Sequence, residues 1–368
     1  MVSTTALLAL CFGFAFARTA IAWADNVPID TRSLDEIYQA AQAEDGRLVV
    51  VFGGDADAQG DGVRKQWEDR FPTIQLDLTV DLSKYFDSRI DRAYYAKNET
   101  VDVAVLQTLQ DFQRWKDQDR LLFYKSPTFE DLYNGEKDFD GAFLPMAILG
   151  FGKFVYDKDQ IPENEVPNSY ADLLDPKWRG KIVATYPNDD DAIAYLFALI
   201  VERYGFEWLE AFATQDVKWV RGSATPSYVI FDQHNNITDP STAPAAGRIL
   251  TFTTIGYPPG NPDFLGFKEP PFPEQYMSWA QTSAIFASTR RPETAKLFQA
   301  WITGEFQNSG GFSPLVSLDE GKLMTSNNTQ SSGFRQFMQD REKVEWWKLQ
   351  FETTLGTAQG PGPMELFP

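Results

Sequence analysis

From Ser33 to Leu106 the chain alternates between helical and strand periodicity, and this alternation narrows the fold more than any other feature. Ser33 with Glu36 forms a capping box that opens a helix through Ala43, and Asp45-Gly46 turns the chain into the apolar strand Leu48 to Phe52. Gly53-Gly54-Asp55 ends that strand, and Val63, Trp67 and Phe71 mark a second helix. Ile74, Leu76, Leu78 and Val80 alternate as a strand, a helix follows around Phe86, Ile90 and Tyr94, and a third strand runs from Val101 to Leu106. This β-α-β-α-β order implies a mostly parallel, doubly wound α/β sheet, because helical crossovers return the chain to the same end of the sheet each time.

A second series begins after an extended stretch from Phe143 to Tyr156. A helix at Tyr170 to Leu174, a strand at Lys181 to Thr185, a long helix from Asp190 to Tyr204 and a strand at Val217 to Val220 follow. With a helix near Ser227 to Gln233 and a strand from Ile249 to Ile255, these make a second α/β lobe. The Pro/Gly-rich stretch Tyr257 to Pro273 predicts irregular chain, Met277 to Ala287 a strand, and Pro292 to Phe306 and Phe334 to Leu355 helices. Gly356 to Pro368 is Gly/Pro-rich and predicts an extended tail, either wrapped on a lobe or left mobile.

Composition removes several function classes. With 43% apolar and 14% aromatic residues in 368, the chain can bury large cores, which excludes a disordered protein. A formal charge of -19 opposes nonspecific binding to nucleic acid or docking on anionic lipid. One His and one Cys cannot build a zinc site of four cysteines, or of two cysteines and two histidines, within one chain. Residues 1–24 read as a secretory signal peptide: Ala6 to Ala17 is an apolar run too short to cross a bilayer, and Ala22-Trp23-Ala24 fits a cleavage site before Asp25. Cys11 lies within that peptide, so the secreted chain, extracellular or periplasmic, carries no disulfide. Sequons for glycosylation begin at Asn98, Asn236 and Asn327.

Six segments occur in the order of one known family: Leu48 to Gly54 (LVVVFGG), Val101 to Thr108 (VDVAVLQT), Ser169 to Lys181 (SYADLLDPKWRGK), Tyr186 to Ala192 (YPNDDDA), Val220 to Ser223 (VRGS) and Arg291 to Trp301 (RPETAKLFQAW). Together they resemble the extracellular solute-binding proteins of ABC-type transporters, in the type II periplasmic-binding-protein branch that includes ferric-ion, polyamine and thiamine binders. The resemblance implies two doubly wound α/β lobes joined by a hinge that closes on a small polar or charged ligand. It places residues 25–146 and 275–355 in the first lobe and 147–274 in the second, with an ABC permease as a possible partner. It implies a monomer with no cofactor, no catalytic residue and no stable membrane insertion.

Ligands of open α/β sheets bind beyond the carboxyl ends of the strands and at helix N-termini, and this selects the candidates. Asp55 follows the first strand; Gln107 and Thr108 follow the third, where Thr108 is equally suited to cap the next helix. Asp189, Asp190 and Asp191 stand at a strand-to-helix turn, where they either cap the helix or offer a carboxylate to a cationic ligand. Tyr186 adds a ring beside them. Arg221 suits an anionic ligand or a structural ion pair, and the two readings of charge stay open. The resemblance nominates Trp279 and Gln281 on the strand re-entering the first lobe, with core packing the alternative for Trp279; Tyr85 and Arg89 are further candidates.

Iron fits less well. Ferric-ion binders of this branch use adjacent tyrosines in the second lobe, whereas here Tyr94 and Tyr95 lie in the first, and the single His234 falls in a polar loop. A carboxylate-based metal site remains open. The competing readings are a secreted glycosidase using two carboxylates, for which no acid pair stands out, and a binding-protein fold turned to protein interaction.

Overall fold

The computed structural model describes residues 27–236, 247–255, 262–311, 313–319, 326–329 and 331–366. The expected signal peptide, its cleavage site and Cys11 lie outside these residues. The first elements follow the periodicity closely: α1 (Leu34–Ala41), β1 (Arg47–Gly53), α2 (Asp61–Arg70), β2 (Gln75–Asp81), α3 (Ser83–Tyr95) and β3 (Val103–Leu106). Both halves of the Ser33/Glu36 capping box form. After α4 (Leu109–Asp117) and β4 (Leu121–Leu122), the long strand β5 (Leu144–Phe151) leads into β6 (Phe154–Asp157).

The second series gives β7 (Val183–Thr185), α5 (Asp191–Tyr204), α6 (Phe206–Ala213), β8 (Lys218–Val220), α7 (Thr225–Asn236) and β9 (Leu250–Thr251). Then come β10 (Leu265–Lys268), β11 (Met277–Phe286), α8 (Pro292–Ile302), α9 (Ser331–Gln339), α10 (Arg341–Leu355) and the short α11 (Pro363–Leu366). Several local expectations change: the tail expected to be extended carries α11, and the helix expected over Phe334 to Leu355 is broken at Asp340 between α9 and α10. The helix expected at Tyr170 to Leu174 is a 3-10 turn, the strand expected from Ile249 to Ile255 shrinks to β9, and the Pro/Gly-rich stretch contains β10, paired antiparallel to β6.

The main sheet has the order β2-β1-β3-β11-β4, with β5 also paired to β11. Only β2-β1-β3 is parallel; β11 runs antiparallel to β3, β4 and β5, so the sheet is mixed. The second lobe holds a sheet ordered β10-β6-β9 and the parallel pair β7-β8.

Two large cores define the lobes. Leu48, Val50, Trp67, Phe71, Val105, Ile285, Phe298 and Trp301 fill the first, between β1-β3 and helices α1, α2 and α8. The second gathers Phe154, Tyr170, Leu196, Phe197, Trp208, Phe212 and Phe252. Strands β5 and β11 pass between them: Met146 and Ile285 lie in the first core, while Phe151, Met277 and Trp279 lie in the second. Phe334, Phe337, Val344, Trp347 and Phe351 join the second core: α10 lays its apolar face on α5 and α6, while α9 bridges, lying on β11 and the first-lobe helix α4 as well as on α5.

Candidate ligand cleft between the lobes

The crossing strands set the cleft floor. Pairing of β5 with β11 shifts register between Gln281 and Thr282, opposite Pro145, which has no N–H to donate. At this irregularity the buried Gln281 donates through Nε2 to the carbonyls of Gly53 (2.9 Å) and Val105 (3.3 Å), tying the ends of β1 and β3 to the hinge.

Beyond β1 the chain is held open by another amide: Gln59 Oε1 accepts from the N–H groups of Asp55 (2.7 Å) and Ala56 (3.3 Å). This frees the Asp55 carboxylate to reach the other lobe. Its Oδ2 accepts from the Ala224 N–H at 2.9 Å and from Ser223 Oγ at 3.2 Å. The turn that carries those donors contains Gly222 at φ 79°, where a Cβ would lie 3.2 Å from Asp55 Oδ2 and closer still to the C-terminal tail. A second bridge joins the lobes where Lys84 Nζ donates to the Asp189 carbonyl (3.1 Å) and carboxylate (3.3 Å).

Asp55 stands between two cavities. One, of about 300 Å³, is lined by Gln59, Gln107, Gln281 and Ser223 and by the apolar side chains of Phe52, Leu149, Phe151 and Phe306. The other, of about 200 Å³, is polar: Asp55, Asp87, Asp189, Asp190 and Asp191 face Lys84, Arg341 and Lys348 across it. Gln107 and Asp55 line both.

The three consecutive aspartates have three different jobs. Asp189 is bound by Arg221 Nε (2.9 Å) and Nη2 (3.2 Å); burial opposes its charge, but Arg221 and Lys84 hold the carboxyl below its usual range. Asp190 caps α5, its Oδ1 accepting from Ala192 (2.9 Å) and Ile193 (3.0 Å). Burial pushes the Asp190 carboxyl up to about 6 against the bond from Ile193, with the charges of Asp55 and Asp191 adding to the rise. Asp191 is paired to Arg341 (2.8 Å) and Lys348 (3.0 Å) on α10. Burial likewise raises the Asp55 carboxyl, partly offset by the bonds from Ala224 and Ser223.

Other candidates have structural settings. Arg221 is engaged with Asp189 and lines neither cavity. Tyr186 stacks on Trp219 at 5.5 Å between ring centroids and lines neither cavity. Trp279 is sealed in the second core against Phe151 and Phe334, which makes it a packing residue. Tyr85 is exposed and outside both linings, and Arg89 pairs with Asp81 at 2.6 Å. Thr108 occupies the N-cap position of α4 without a side-chain cap bond, and lines the polar cavity. Tyr94 and Tyr95 lie on α3 away from both cavities. His234 lies at the end of α7, not in a loop, with Nδ1 3.0 Å from Asp157 Oδ2 and its ring on Phe264. Among the described residues, Asp157, Asp159 and His234 have metal-ligand spacing, but none lines either cavity. Asn98 and Asn327 are exposed; Asn236 is too, although the rest of its sequon lies outside the described residues.

Sequence reasoning missed Gln59, Lys84, Ser223, Arg341, Lys348 and Pro363 as cleft residues. Ser223 belongs to the VRGS segment and was within reach; the rest carry no local signal.

A family of bacterial extracellular solute-binding proteins matches residues 98–237. The chain is 22% identical over 281 residues to the Fe(3+)-binding periplasmic protein of Serratia marcescens, covering 73% of this chain and 76% of that one. A substrate-binding protein of an ABC transporter from Agrobacterium tumefaciens superposes with a TM-score of 0.68 at 13% identity, covering 84% of this chain and 95% of that one. This is the type II periplasmic-binding-protein fold. The same fold is shared with the periplasmic binding protein AfuA from Actinobacillus pleuropneumoniae, solved with exogenous fructose-6-phosphate bound. That superposition has a TM-score of 0.60 at 16% identity, covering 86% of this chain and all of that one. These relatives are described as binding proteins, and no described helix of the present chain is long and apolar enough to cross a membrane.

Proposed function

We propose that the chain is a secreted solute-binding protein that clamps a small organic molecule bearing a cationic group, with Asp55 as the contact between the closing lobes. The bond from Ser223 and Ala224 to Asp55 carries this reading, since it draws the second lobe onto the end of β1 between the two cavities. The polar cavity supports the charge assignment. Of its five carboxyl groups, Asp191 is paired to Arg341 and Lys348, Asp189 to Lys84 and Arg221, and Asp87 to Arg114, which leaves Asp55 and Asp190 without an ion pair among the described residues. Burial raises both the Asp55 and the Asp190 carboxyl, the charge of Asp55 adds to the rise of Asp190, and a cation placed beside them relieves it. The neighbouring cavity, with its glutamines and apolar wall, suits the uncharged body of such a molecule. An ABC permease is the expected recipient of the solute.

A thermal-shift screen of the mature chain against thiamine, spermidine, fructose-6-phosphate and ferric citrate tests this. A ligand at about 100 times its Kd stabilises the native state by about 2.7 kcal/mol, so a binding cation raises Tm measurably. Stabilisation by neither cation would remove the reading.

The raised Asp190 carboxyl also fixes the sign of the pH dependence. Without ligand, this group contributes stability that is fully present below its ordinary value of 3.8 and is lost as pH rises through about 6. Affinity for a cation runs the other way, because the charged carboxylate is the binding form. Thiamine affinity is therefore expected to fall as pH drops from 7.5 through 6, and in Asp190→Asn this dependence should flatten. Calorimetric titration at several pH values reads both slopes.

A further inference from the structure

The C-terminal tail returns to the cleft. Gly356 ends α10 at φ 77°, and its carbonyl accepts from Asn188 Nδ2 at 3.1 Å, beside the aspartate triplet. The chain turns again at Gly360 (φ 96°) and buries Pro363 at the start of α11. There Pro363 meets the turn that carries Ser223 and Ala224: a Cβ on Gly222 would lie 2.6 Å from Pro363 Cβ and 2.7 Å from its Cγ. Gly222 is thus pressed between Asp55 on one side and Pro363 on the other, and Pro363 lines the polar cavity with Asp55, Asp189 and Asp190. The tail is rooted in the second lobe, since α10 packs in that core and ties Asp191 through Arg341 and Lys348.

We propose that residues 356–366 are a wall of the ligand site, with Pro363 a specificity-determining residue that limits the size of the polar cavity and slows release of its occupant. This rests on the solute-binding reading above. Because the tail travels with the second lobe, its cover is in place before the lobes close. A proline is suited to the position, as its fixed φ keeps the wall rigid at little entropic cost.

The test compares the mature chain with one ending at Gly356 and with Pro363→Ala. Hydrogen exchange is followed by mass spectrometry, and thiamine release by stopped flow. Removal of the tail should speed exchange at residues 187–193 and 221–225 by about tenfold or more while β1 and β3 stay protected, and should speed thiamine release at least tenfold. Pro363→Ala should move both readings in the same direction by less. Unchanged exchange at these residues in both variants would overturn the proposal, as would thiamine release within twofold of the intact chain. If truncation loosens both cores, Pro363→Ala alone decides. If thiamine binds none of the chains, the cation reading fails, and the exchange comparison still decides whether the tail covers the cavity.

Discussion

Asp55→Ala is expected to weaken thiamine binding by about 100-fold or more while leaving the fold intact. Two contributions add. Each hydrogen bond to a charged acceptor is worth about 1.5–3 kcal/mol, and the substitution removes both that join Asp55 to Ser223 and Ala224. The closed form then becomes less populated, and apparent affinity falls in proportion to the competent fraction. The second contribution is the loss of a negative charge facing the ligand. Asp55→Asn separates them: it keeps an acceptor for Ala224 but not the charge, and should fall between wild type and alanine. Small-angle scattering of ligand-free Asp55→Ala should show a larger radius of gyration, and isothermal titration gives the affinity. Unchanged affinity in Asp55→Ala would place the ligand elsewhere.

The other large effect is on stability, at a buried aspartate far from the cleft floor. Asp102 is 3% exposed and makes three bonds: Oδ1 accepts from Thr289 Oγ1 (2.6 Å), and Oδ2 from the Val49 N–H (2.9 Å) and Arg291 Nη1 (2.9 Å). It thereby joins β1 to the turn before α8, which covers the first core. Asp102→Ala leaves the Val49 N–H, the Thr289 hydroxyl and the half-buried Arg291 guanidinium without their acceptor; breaking a fully buried pair costs about 3–5 kcal/mol, an upper bound for this part-buried one. Arg291 keeps its bond to Asp45, so the lower part of that range is expected. Urea denaturation should show the loss, with thiamine affinity in the folded fraction unchanged. A cost below about 1 kcal/mol would mean that water replaces the lost acceptor.

Much of the architecture was legible because it rests on local physics. Alternation at Ile74 to Val80 reports a strand, the capping box at Ser33 a helix start, and the apolar stripe of Ile193, Phe197 and Ile200 a buried helix, which α9 and α10 cover further so that α5 is buried on nearly every side. Strand β10 escaped because Pro and Gly flank it, and its Gly266 packs under Tyr156 in a register set by the distant β6. That α10, and α9 in part, would pack on the second lobe was not legible for a related reason. Their apolar faces state that they pack, not on what; Phe337 against Tyr195 and Phe351 against Phe197 supply the answer.

The site divides along the same line. Asp55, Gln107 and Asp190 could be nominated because strand ends and helix starts mark the cleft in any open α/β sheet. The role of each could not. Whether Arg221 meets a ligand or an acid depends on Asp189, and the rise of the Asp190 carboxyl to about 6 depends on its burial, with Asp55 from the opposite lobe adding to it. Lys348 and Pro363 enter only because α10 folds back on the second lobe and the tail follows it to Gly222.

The most direct test of the central claim is a calorimetric titration of the mature chain at pH 7.5 with thiamine and, separately, with fructose-6-phosphate. A clamp built on Asp55 and Asp190 predicts one thiamine per chain with micromolar or tighter affinity, and binding of the sugar phosphate at least 100-fold weaker. Tight binding of fructose-6-phosphate with none of thiamine would contradict it.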